Sequence, residues 1–168
     1  MTVQTNQNER YEMSQQSKST EGRPNTVLSV FCGISALLSI TMNFAPLGVI
    51  SQRSTTGMIQ FAIDGIHNEF LSIGDFESIL LFISLTASMI LLLIWAIRSF
   101  KRSSKSWSIG LIASVYYAVQ SWFVLSMMGR YWESAYRVPV LMLFFLTVAN
   151  IVLVLLQYKS KKKNEVKK

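Results

Sequence analysis

Residues 78–97 read SILLFISLTASMILLLIWAI. The stretch holds no Asp, Glu, Lys, Arg or His, and its polar members are Ser and Thr alone. A helix rises about 1.5 Å per residue, so about 20 residues cross the ~30 Å hydrocarbon core of a bilayer. A soluble helix carries a polar or charged face opposite its buried one. This stretch has none, and it predicts a transmembrane helix.

Three more runs extend the reading on both sides. They are TVLSVFCGISALLSITMNFAPLG at 26–48, WSIGLIASVYYAVQSWFVLSMM at 107–128 and VPVLMLFFLTVANIVLVLLQ at 138–157. None contains a charged residue. Pro46 stands near the far end of the first run, where a kink or stop costs least. The expected fold is an all-α membrane protein, a bundle of four transmembrane helices.

Composition agrees. Only 15% of the 168 residues are charged, against roughly 25% in soluble domains. The charges gather in the tails and connections. The net charge of +7 borders the apolar runs, so it points to topology and lipid contact rather than to nucleic acid. Cys32 is the single cysteine. It excludes an intrachain disulfide and a Cys-x-x-Cys redox or metal motif.

Orientation follows from Lys and Arg. The segments 1–25, 98–106 and 158–168 hold 13 of them, and the other two loops hold Arg53, Arg130 and Arg137. The positive-inside rule then puts both termini in the cytoplasm, at the cell membrane. Residues 1–25 are rich in Gln, Asn, Ser and Thr and predict a disordered cytoplasmic tail, with the first span as an uncleaved anchor. Residues 158–168, YKSKKKNEVKK, predict a basic cytoplasmic tail that attracts anionic lipid. Trp95, Phe100 and Trp107 are expected at the inner interface, and Tyr131, Trp132 and Tyr136 at the outer one.

The outer loop 49–77 is the longest connection. Ile59, Ala62 or Ile63, Ile66, Phe70 and Ile73 recur every three or four residues, which predicts an amphipathic helix at the outer headgroups. Asp64 and His67 stand at i, i+3, a spacing that can hold a metal or poise an acid–base pair. His67 is the only histidine, so a solvated polar face is the preferred reading, and no metal or cofactor is assigned.

Polar residues within the runs fall on helical stripes. Cys32, Ser35, Ala36, Ser39 and Asn43 share a face of the first run. Gly110, Ser114, Tyr117, Ala118 and Ser121 share one of the third, with Gln120 at its border. Thr147, Asn150 and Gln157 mark the fourth. Small residues let helices approach, and Ser, Asn and Gln hydrogen-bond across the contact. Asn43, Tyr117, Gln120 and Asn150 are the candidate intramembrane polar contacts, as helix glue first and as a pathway or pocket second.

Absent charge limits the chemistry. Proton-coupled export relies on an intramembrane carboxylate, and an aspartyl peptidase needs two carboxylates to share a proton. The four runs offer neither. The expected function is non-catalytic contact, as an accessory subunit, scaffold or protective, immunity-type protein, with a membrane-protein partner or self-association. The alternative is a small oligomeric transporter or channel component.

Overall fold

The computed structural model describes residues 25–50, 53–67, 75–129 and 132–166. The expected disordered tail, up to residue 24, lies outside the described residues. Among those described, five helices and three short strands follow in order. They are α1 (Thr26–Met42), β1 (Gly48–Ile50), β2 (Arg53–Thr56), α2 (Met58–His67), α3 (Asp75–Phe100), α4 (Ser106–Met128), β3 (Trp132–Ala135) and α5 (Arg137–Val166).

The long helices form a ring. α1 packs on α3, α3 on α4, α4 on α5, and α5 returns to α1. A five-residue turn separates α3 from α4, so these two run antiparallel. β1 pairs antiparallel with both β2 and β3 in the order β2-β1-β3. This sheet ties the end of α1 to the α4–α5 connection, and Tyr136 N adds a 2.8 Å bond to Leu47 O. The start of α1 and the end of α5 therefore lie at the end opposite the sheet. The structure is mostly helical, as expected, and this small sheet is an addition to the all-α expectation. Its strands are three or four residues long, too short to show an alternating pattern.

Among the described residues, three helical segments are long and apolar enough to cross a membrane: Ser78–Phe100, Ser106–Met128 and Arg137–Lys163. The expected first span over 26–48 is shorter, because α1 stops at Met42 after 17 residues. Its ends have local causes. Asn25 caps the start by accepting from Val27 N at 3.1 Å. Asn43 closes the other end, its Nδ2 donating to Ser39 O at 3.0 Å and Ile40 O at 3.2 Å. The chain then meets Pro46, which cannot donate to a helix.

α2 exists, as expected, but its buried face differs. Met58, Phe61 and Ala62 are buried, while Ile59 is only partly so. The predicted stripe begins at Ile59; the observed one starts a residue earlier because α2 packs against α3. The start of α2 is fixed by Ile59 N bonding Asn43 O at 3.1 Å. Gly57 makes this possible, since a Cβ there would meet Ala45 O at 2.7 Å. Ile66, Phe70 and Ile73 have side chains outside the described residues.

α5 is longer than the predicted 138–157 run. It begins at Arg137, with Pro139 in its first turn where the missing N–H costs nothing. It continues to Val166, so most of the basic tail is helical. Lys161 lies 5.5 Å from the Trp107 ring centre, and Trp107 stacks at a tilt on Tyr158, 5.0 Å between centroids.

Candidate functional site

Polarity is inverted relative to a soluble bundle. Ser29, Ser35, Ser39 and Asn43 of α1 are buried, as are Ser88 of α3, Gln120 of α4 and Asn150 and Gln157 of α5. Large apolar side chains lie outside, among them Trp122 at 76% exposure, Val119 and Phe145 at 65% and Val138 at 67%. A contiguous apolar surface of this kind calls for a lipid or protein cover. Hydrocarbon supplies no hydrogen bonds, so the polar groups face inward to find partners.

Among the described residues, the hydrogen-bonded polar groups between helices fall into three sets. In the first, Ser35 Oγ donates to Asn150 Oδ1 at 2.7 Å. Asn150 Nδ2 donates to Ser39 Oγ at 2.7 Å, and Ser39 Oγ donates to Ser35 O at 2.9 Å. Asn43 joins through the Ser39 carbonyl. Tyr117 is fully buried and faces Ser39 and Ser121 without a hydrogen bond of ordinary geometry. Three of the four sequence candidates, Asn43, Tyr117 and Asn150, thus meet around Ser39.

Gln120 does not join them. Its Nε2 donates to Ser84 Oγ at 3.2 Å, and Ser84 shares a 2.8 Å bond with the Tyr116 hydroxyl. These three residues sit in a groove of about 350 Å³ between α3 and α4, with Leu80, Val119 and Phe123 around them. A border position on the α4 stripe accounts for the divergence: Gln120 faces α3 while Tyr117 faces α1.

The third set lies at the end away from the sheet. Gln157 Oε1 accepts from Trp95 Nε1 and Ser106 Oγ, each at 3.4 Å, and its Nε2 donates to Ser99 Oγ at 3.4 Å. One amide thereby links α3, α4 and α5. Trp95 is fully buried among the helices at this end. Gly110 makes the space, since a Cβ there would lie 2.7 Å from Trp95 Cε2.

Sequence reasoning misses Ser84, Tyr116, Ser99 and Ser106. Each is an isolated polar residue with no stripe to flag it. Trp95 carries a signal that points inward as well as to the interface. An indole N–H buried in a bundle needs an acceptor, and Gln157 is the uncharged acceptor at matching depth.

On α2, Asp64 Oδ1 accepts from Gln60 Nε2 at 2.7 Å, one turn back. His67 closes α2, and its side chain lies outside the described residues. Among the described residues no group of three His, Cys, Asp or Glu side chains could hold a metal. No family model, curated protein or solved structure matches the chain.

Proposed function

We propose that this chain is a four-span protein of the cell membrane, with both termini in the cytoplasm, that acts by contact with a membrane-protein partner or a second copy. Accessory subunit, scaffold and protective, immunity-type protein are the roles within that class. At 17 residues, α1 sits at the lower limit for a span, and residues 43–47 complete the crossing to the sheet. The basic flanks of the inner side contact anionic lipid.

The observation that carries the reading is the hydrogen-bonded contact of α1 with α5 inside the bundle, beneath an apolar outer surface. Asn150 and Ser39 are fully buried and spend their hydrogen bonds on each other and on Ser35. Such groups fix helix geometry rather than perform chemistry. What is left for function is the surface: the lipid-facing helix flanks and the sheet that braces the outer loops.

Photo-crosslinking from Trp122 and Phe145 positions in native membranes, read by mass spectrometry, tests this. A defined adduct with one protein, or with a second copy, is the expected result. Recovery of the chain only as an isolated monomer from both positions counts against it.

A transporter or channel component is the second reading. It is favoured by buried polar atoms without partners, including Asn43 Oδ1, Ser114 Oγ, Tyr117 OH and Ser121 Oγ. Unpaired groups of this kind are what a hydrated path would line. Flux above that of empty liposomes, abolished by Tyr117→Phe with Ser121→Ala, is the result it requires.

A further inference from the structure

We propose that the cleft between the start of α1 and the end of α5 binds one anionic phospholipid. This rests on the bundle lying in a bilayer with that end at the cytoplasmic leaflet. Leu156, Lys159 and Lys163 follow i, i+3, i+7 and share one face of α5, with Lys162 beside them. That face meets Asn25 and Leu28 of α1 across a cleft of about 900 Å³.

The lining is divided along its length. Leu28 and Leu156 form an apolar wall on the side of the bundle, and three lysines ring the opposite side. Among the described residues, none that lines the cleft is acidic. The first turn of α1 adds the positive end of its helix dipole. A phosphodiester with an acyl chain satisfies both halves at once. A zwitterionic headgroup brings its own cation against the lysines, and a free phosphate leaves the leucine wall uncovered.

A second basic cleft serves as the internal comparison. It is lined by Ile94, Ile97, Arg98, Lys101 and Lys105 and measures about 500 Å³. It lies between the end of α3 and the start of α4, carries the same number of cations, and is the smaller of the two.

The test titrates phosphatidylglycerol or phosphatidylcholine into the detergent-purified full chain and counts bound lipid by native mass spectrometry. One phosphatidylglycerol per chain is expected, bound in preference to phosphatidylcholine. Lys159→Gln, Lys162→Gln and Lys163→Gln together lower its apparent affinity by about tenfold or more. The corresponding three arginine substitutions retain it. Replacing Arg98, Lys101 and Lys105 by Gln removes equal charge and has the smaller effect. Equal losses from the two Gln triples mean diffuse attraction and overturn the proposal. So does displacement of the lipid by millimolar glycerol phosphate, which makes the site one for a soluble anion. Carbonate extraction of native membranes reads the bilayer premise separately: release of the chain defeats that premise, and retention without lipid preference defeats the cleft alone.

Discussion

Asn150 reaches two serines of α1 from α5, accepting from Ser35 and donating to Ser39, both at 2.7 Å. A lone Asn in an apolar run is costly without such partners, so its position pins the register of the two helices. Asn150→Ala leaves the Ser35 and Ser39 hydroxyls without it and lowers stability by about 1–2 kcal/mol. Thermal unfolding in detergent measures this. Adding Ser35→Ala and Ser39→Ala to Asn150→Leu recovers much of the loss, because no polar group then remains stranded. Gly110 tests the set around Gln157. A Cβ there collides with the Trp95 indole, which is fully buried and bonded to Gln157. Gly110→Ala is expected to cost about 1–3 kcal/mol through overpacking and to shift the Trp95 emission, read against a Trp95→Phe control. Asn150, Asn43 and Tyr117 are legible in the sequence as interior residues, because an amide or phenol within an uncharged run is costly against lipid and turns toward another helix. Ser39 is legible as a member of the same face, but its pairing with Asn150 is not, since a serine on a helix can equally bond its own backbone.

At the scale of elements, the turn from α3 to α4 shows how local chemistry sets a boundary. Ser103 N bonds Arg98 O at 3.0 Å and Arg102 N bonds Ser99 O at 2.9 Å. This is the paired closure of a Schellman motif. It places Arg102 at φ 51°, a conformation that glycine adopts without strain. Arg102→Gly is expected to raise stability by about 1 kcal/mol, seen as a higher unfolding midpoint in detergent. The long helices are legible because a run of about 20 uncharged residues has a single good solvent. The α1 terminus is less so: Asn43 and Pro46 both sit in the run, and only the capping geometry shows that Asn43 is the stop. α2 is legible as a helix but not in its phase. Met58 and Ile59 are equally apolar candidates, and the face is chosen by contact with α3, which no local pattern encodes. The sheet is invisible for a related reason, since β1 and β3 are separated by more than 80 residues and gain meaning only once the helices bring them together.

For the whole molecule, large apolar side chains cover the outside while polar groups gather inside beside an apolar core, an arrangement that fits a membrane protein. The sheet and the two basic clefts lie at opposite ends, and among the described residues the cleft end carries Arg98, Lys101, Arg102, Lys105, Lys159, Lys161, Lys162 and Lys163 against Arg53 and Arg137 near the sheet. Such asymmetry orients a bundle in a charged membrane. The number of crossings turns on α1. If α1 spans with α3, α4 and α5, both termini share a side; with three crossings instead, the termini lie on opposite sides.

Cysteine labelling in intact cells decides between these directly. Starting from Cys32→Ser, single cysteines at Ser17, Gln60, Ser104, Ser134 and Lys162 are treated with a membrane-impermeant maleimide before and after lysis. Gln60→Cys and Ser134→Cys are expected to react in intact cells, and Ser17→Cys, Ser104→Cys and Lys162→Cys only after lysis. Labelling of Ser17→Cys from outside, with Ser104→Cys and Lys162→Cys still protected, contradicts the four-span account.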